Sequence, residues 1–262
     1  MTVKKWTLTD VAAGIQVEDL TISPQDLGGR LPGLEIRKAT LRGGLCDGVE
    51  VVRVDNGRLS FSVLPTRGMG LWKAWLDDEE IGWQSPVRGP VHPKFVPLME
   101  PSGLGWLDGF DELLVRCGLE SNGAPDFDPP GRLRYPLHGR IANRPAHRVE
   151  VEVDDASGEI AVTGVVEETR FLFRSLRMTS RVSTRVGENH LRIRDEVESL
   201  SGGPTEVQLL YHINFGQPLL DAGSRFLAPF QKMMPRDARA AEGVATWDVY
   251  AAELAGYAEQ VY

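Results

Sequence analysis

The stretch "LRMTSRVSTRV", residues 176–186, alternates apolar Leu176, Met178, Val182 and Val186 with Arg177, Thr179, Arg181, Ser183 and Arg185. A period of two sends successive side chains to opposite faces, so the segment reads as a β-strand with one buried face and one charged face. Its neighbours repeat the pattern. "HRVEVEV" (147–153) and "EIAVTGVV" (159–166) flank the turn-rich "DDASG" and read as a hairpin whose loop exceeds two residues. After the turn "GEN", "HLRIRDEVES" buries Leu191, Ile193 and Val197. Toward the N-terminus, "EIRKATLR" (35–42), "VEVVRVDNG" (49–57), "RLSFSVLP" (58–65) and "LWKAWL" (71–76) are short strands punctuated by Gly, Asn and Asp. An antiparallel meander or sandwich results, and 28 Gly with 17 Pro suit many turns rather than long helices.

Residues 84–136 break the rhythm. Pro, Gly and aromatic residues are frequent there, and "SPVRGPVHPKFVPLMEPSGLGW" supports no regular element. A long ordered loop within a domain is where function concentrates. Helical signal is confined to 237–241 and to 247–256, "WDVYAAELAG". With no internal repeat or low-complexity linker, the 262 residues are expected to form one β-rich domain. The chain stops at "YAEQVY" without a turn or polar tail, which reads as a strand cut short.

A formal charge of −8, with arginines dispersed rather than in basic runs, disfavours nucleic acid and favours a small neutral ligand. Cys46 and Cys117 are too few for a disulfide framework, and "MTVKKWTLTDVAAG" lacks the apolar run of a signal peptide, so a cytoplasmic location is expected. No stretch has the roughly 18 apolar residues of a membrane-spanning helix.

Candidate chemistry lies in four places. In "TEVQLLYHINFGQPLL" (205–220), alternation sets Val207, Leu209, Tyr211, Ile213 and Phe215 on one face and Gln208, Leu210, His212 and Asn214 on the other. The polar row could hydrogen-bond a polyol, or could simply meet water. In "YPLHGRIANRPAH" (135–147), His138, Arg140 and Asn143 are either ligand contacts or a structural histidine, a solvated arginine and a turn former, and His147 belongs to the following strand. "GWLDGFDELLVRCGLESNGAP" (105–125) offers Asp108, Asp111, Glu112 and Glu120 as bases and Arg116 as an anchor for an oxygen-rich ligand; Cys117, among apolar and glycine neighbours, is expected to be buried. "VLPTRGMG" (63–70) puts Arg67 in a tight turn whose glycines are structural. His92 is held in "PVHPK" without a role that spacing assigns. No HxH, HExxH or CxxC spacing supports a metal, and phosphate-loop, dinucleotide and GxSxG patterns are missing, so no cofactor is expected.

Taken together and in order, "LPTRGMG" (64–70), "RCGLESNGAP" (116–125), "LHGRIANRPA" (137–146) and "YHINFG" (211–216) resemble the aldose 1-epimerase-like proteins of the galactose mutarotase superfamily, in a branch long carried as a domain of unknown function. The resemblance runs from about residue 35 to the end, leaving 1–34 as a peripheral extension. It implies an all-β, antiparallel supersandwich over 1–262, with a sugar bound on the concave face of one sheet and with the C-terminal strands expected to be missing after Tyr262. It further implies His212 as general acid toward the ring oxygen, His138 as a sugar contact, and Arg140 and Asn143 as hydroxyl anchors. Arg67, Arg116 and Asn214 complete the expected substrate-binding set.

Anomer interconversion removes a proton from the C1 hydroxyl while the ring oxygen is protonated, so acid and base act together. Histidine suits the acid because its ordinary pKa lies near cellular pH. The base of the similar enzymes is a glutamate on a strand near the C-terminus, and nothing here matches it; Glu100 and Asp111 are the substitutes the loop offers. Two alternatives stand beside an isomerase: a sugar-binding or sensing protein without turnover, and an oligomeric subunit completing its sheet with another chain.

Overall fold

The computed structural model describes residues 3–262, which form sixteen strands and little helix. In chain order they are β1 (Val3–Asp10), β2 (Ile15–Gln16), β3 (Leu20–Ile22), β4 (Glu35–Thr40), β5 (Glu50–Asp55), β6 (Leu59–Leu64), β7 (Gly70–Leu76), β8 (Glu79–Ile81), β9 (Leu114–Leu119), β10 (Asp126–Asp128), β11 (Arg132–Tyr135), β12 (Arg148–Asp154), β13 (Glu159–Arg170), β14 (Arg174–Arg185), β15 (Arg192–Ser199) and β16 (Gln208–Ile213). One antiparallel sheet runs β15-β14-β13-β12-β1-β2. The other runs β16-β9-β7-β6-β5-β4-β3, with β8 added to β7, and β10 and β11 form a separate ribbon.

The alternation of 176–186 is realised in β14, where Leu176, Met178 and Val182 are fully buried and the intervening residues are only half covered. Those side chains meet Phe61, Val63 and Leu71 of the opposite sheet in one apolar core. Polar ties cross between the sheets as well. Asn56, fully buried at the β5–β6 turn, donates from Nδ2 to Thr184 Oγ1 (2.9 Å) and to the Arg185 and Glu188 carbonyls (2.8 and 2.9 Å), while its Oδ1 accepts from the Leu59 amide (2.7 Å). A buried amide with each group satisfied fixes the register of the two turns without leaving an orphan donor.

Three expectations need correction. The 84–136 segment contains β9, an interior strand of its sheet. Its residues "LVRCGL" are buried on both faces, so the alternation that betrays half-buried strands is missing. Residues 1–34 are not peripheral: β1 pairs along β12 from Val3↔Asp154 to Asp10↔Arg148, and Leu8, Ile22 and Leu27 lie in the core. Residues 247–256 form no helix, because the backbone bonds there go to another segment, Phe226 N to Asp248 O (2.8 Å) and Tyr250 N to Ser224 O (2.9 Å).

Where one domain is expected over 1–262, contacts divide the chain into two units. The larger comprises Met1–Ile81 and Ser85–Asn214 and holds every strand above. The smaller comprises Gly82–Gln84 and Phe215–Tyr262. Within it, a single helical turn, α1 (Ala238–Ala241), is capped by Asp237, whose Oδ1 accepts from the Ala240 amide (2.9 Å). Trp247 gathers Phe230 and Phe226 at ring separations of 5.0 and 5.9 Å. No helix among the described residues is long and apolar enough to cross a membrane.

Candidate active site

On the β9–β16 ladder His212 lies directly opposite Val115, so the two share a face, while Arg116 and its partner Tyr211 point the other way, into the sandwich. Val115 and Cys117 pack on the His212 face against Trp106 and Ala142. The loop carrying His138 is tied to the end of β9: the Gly118 amide donates to the His138 carbonyl (3.1 Å), the Arg140 amide to the Gly118 carbonyl (2.8 Å), and the His138 amide to the Gly123 carbonyl (2.9 Å). Glycine at 139 is required by that contact. Its φ is +73°, and a Cβ there would stand 2.2 Å from the Ser121 carbonyl oxygen and 2.3 Å from that of Gly118. Gly68 plays the same part beneath the next turn, with φ +57° and a virtual Cβ 2.3 Å from the Ile141 oxygen. The motifs separated along the chain are thus one interlocked structure, and His138 itself is held at φ +56°, a conformation rarely adopted by side chains other than glycine.

Four rings meet there. His138 and His212 are 5.4 Å apart between centroids and cross at 77°; Trp106 lies 4.8 Å from His138, and Phe110 lies 5.1 Å from His212. Both histidines are half-buried. His212 Nδ1 is 2.7 Å from Asn214 Oδ1, and the Asn214 Nδ2 donates to the Glu112 carbonyl (2.8 Å). A carbonyl can only accept, so it fixes the amide orientation; the Asn214 oxygen then requires the proton on His212 Nδ1. His138 Nδ1 lies 3.3 Å from Asn122 Oδ1 in a similar arrangement.

The cationic candidates separate. Arg67 is 1% exposed and donates to Glu112, to the Val91 carbonyl (3.1 Å), to Asn143 Oδ1 (2.9 Å) and to the Gly109 carbonyl (2.9 Å). Arg116, also 1% exposed, donates to both oxygens of Asp195, to Ser180 Oγ (2.8 Å) and to the Met69 carbonyl (2.5 Å). The expectation that these two arginines touch a ligand is corrected by their burial: both are internal anchors, Arg67 for the site loops and Arg116 between the sheets. Asn143, expected as a hydroxyl anchor, accepts from Arg67 through Oδ1, while its Nδ2 is buried with no acceptor among the described residues. Arg140 is half-buried and remains beside His138 in the chain.

Carboxylates are similarly committed. Glu112 pairs with Arg67, Glu120 with Arg174, and Glu100 accepts from the Ser102 and Leu104 amides (both 2.8 Å). Asp111, 5% exposed, accepts from Trp72 Nε1 (2.6 Å), and burial pushes its pKa up to about 6. Cys117 is fully buried as expected, and that burial pushes its thiol up to about 12, too high for a nucleophile. His92 accepts from the Lys94 amide (3.0 Å) and caps a short turn. Among the described residues no group of three or more His, Cys, Asp or Glu side chains is placed to hold a metal.

The structure therefore brings together His138, His212 and Asn214, places Arg67 beneath the loops that surround them, and turns Arg116 to the other side of the sheet. Sequence reasoning missed Asn122, Trp106 and Phe110; the first lies inside "RCGLESNGAP", but only the fold reveals what it faces.

The two-sheet antiparallel β architecture is the aldose 1-epimerase-like fold. The chain matches the crystal structure of "a putative aldose 1-epimerase from Klebsiella pneumoniae subsp. pneumoniae MGH 78578" with a TM-score of 0.91 and 35% identity, over 95% of this chain and 65% of that one. It thus spans less than two thirds of that protein. Residues 46–262 match the family described as "Domain of unknown function (DUF4432)", and the chain belongs to that family. No curated protein matches it.

Proposed function

We propose that the site binds a sugar or sugar derivative and interconverts its anomers, with His212 as the general acid and His138 and Asn214 at the substrate. The observation that carries this reading is the Glu112–Asn214–His212 chain of hydrogen bonds, which dedicates one imidazole nitrogen to the protein and leaves Nε2 for proton exchange beside a second histidine. In the reaction a base takes the C1 hydroxyl proton, the bond between C1 and the ring oxygen breaks, and that oxygen takes its proton from His212. Rotation of the aldehyde and reclosure return both protons. Phe110, half-buried beside His212, supplies apolar surface against which a sugar ring can lie, and the buried Trp106 backs it.

The test follows anomer exchange of freshly dissolved α-hexoses and pentoses by NMR. His212→Ala should lower the acceleration about 10²- to 10⁴-fold while sugar binding persists; an unchanged rate removes His212 from the mechanism. A second reading, a sugar-binding protein without turnover, is favoured by the commitment of Glu100, Glu112 and Glu120 to other partners. It holds if the intact protein binds sugars yet leaves their exchange rates at the buffer value.

A further inference from the structure

We infer that the sugar taken by this site carries an anionic group, a carboxylate or a phosphate, and that Arg140 is the residue that receives it. The inference rests on the sugar-site reading and narrows its substrate class.

Arg140 is half-buried, yet its charge is not matched as the other buried arginines' charges are. Arg67 has Glu112, Arg116 has Asp195 and Arg174 has Glu120. Among the described residues, Arg140 makes only a weak donation from Nη2 to Met99 Sδ (3.6 Å), and its Nε is buried with no acceptor. A guanidinium cannot shed its proton, and removing it from water without an anion is costly, so such a group is retained where a partner arrives later. Burial and the neighbouring Arg174 both disfavour its charge, while Glu120 and Glu168 nearby favour it. Neither glutamate supplies a direct bond to Arg140: Glu120 is held by Arg174, and Glu168 accepts from the Leu119 and Glu120 amides (3.1 and 3.2 Å).

Position ties Arg140 to the site. The Arg140 amide is fastened to the Gly118 carbonyl, and His138, two residues earlier, is held at Asn122 beside His212. A ligand lying against the histidines therefore lies against the loop that carries Arg140. The planar fork suits the two oxygens of a carboxylate or phosphate better than a single hydroxyl.

Calorimetric titration of the intact protein with glucose and galactose, their uronic acids and their 6-phosphates tests this. Acidic sugars should bind at least 10-fold more tightly than the neutral parents, the preference should shrink as NaCl rises, and Arg140→Met should erase it by lowering acidic-sugar affinity about 10- to 100-fold. Whichever arm binds more tightly, uronate or phosphate, identifies the anion. Equal or tighter binding of the neutral sugars overturns the inference and leaves the sugar reading intact. Binding of none of these sugars overturns both. The comparison on the unmodified protein decides whether the sugar is anionic, and an Arg140→Met protein that keeps the preference removes Arg140 as its receiver; should Arg140→Met fold poorly, Arg140→Lys, which keeps the charge without the fork, should retain only part of the preference, and full retention overturns the assignment to Arg140.

Discussion

Strands β14 and β16 carry the same alternating signature in sequence but end in opposite surroundings. The even-numbered row of β14, Leu176, Met178 and Val182, is fully buried, whereas the odd-numbered row of β16, Leu209, Tyr211 and Ile213, is 37%, 42% and 50% exposed. β14 has β13 and β15 on either side; among the described residues β16 pairs only with β9. Alternation therefore specifies which face a side chain takes, while the neighbours of the strand decide how deep that face lies. The two rows meet at Arg116, which donates to Ser180 of β14 and to Asp195 of β15, and whose guanidinium lies 5.8 Å from the Tyr211 ring of β16.

Breaking that meeting point should have the largest effect. Arg116→Met leaves Asp195 charged in a site with no solvent, and a loss of about 3–5 kcal/mol is expected from urea denaturation. A loss below about 1 kcal/mol would mean that water reaches Asp195. The rows themselves can be compared directly. Met178→Ala should cost about 2–4 kcal/mol because the cavity cannot refill from solvent. Ile213→Ala, half exposed from the start, should cost under about 1 kcal/mol. Equal losses at the two positions would show that the β16 face is covered in solution.

The same contrast explains what sequence could and could not convey. Strands with one wet face, such as β5, β13 and β14, were legible because a period of two survives only where one side meets water. β9 was not legible, since the core covers one side and the Trp106 loop the other, and a strand buried on both faces has no wet-and-dry period. In the site, His138 and His212 stood out by residue type and by their surrounding motifs. The fates of three arginines did not. Arg116 finds Asp195 79 residues away, Arg67 finds Glu112 45 away, and Arg140 finds no carboxylate bond; nothing local distinguishes these outcomes. Asn122 and Trp106 were invisible as site residues for the same reason, because their contacts arise from loops brought together by Gly139 and its carbonyl neighbours.

The smallest expected effect tests how an exposed row is nevertheless held. The Tyr211 hydroxyl donates to Asp195 Oδ2 (2.9 Å), so β16 is fastened to the interior by a polar tie where β14 uses apolar packing. Burial, followed by the negative charge of Asp195, pushes the Tyr211 phenol up to about 12. A phenol that keeps its proton more tightly when folded contributes fully below its unfolded pKa of about 10 and loses that contribution as pH rises toward 12. Because the residue is well exposed, solvent screening limits the whole effect, and Tyr211→Phe should cost no more than about 1 kcal/mol at pH 8. Between pH 10 and 12 the wild type should then lose stability faster than the variant, so the two urea midpoints converge. Midpoints that fall in parallel would detach Tyr211 from Asp195 and leave β16 held by its ladder to β9 alone.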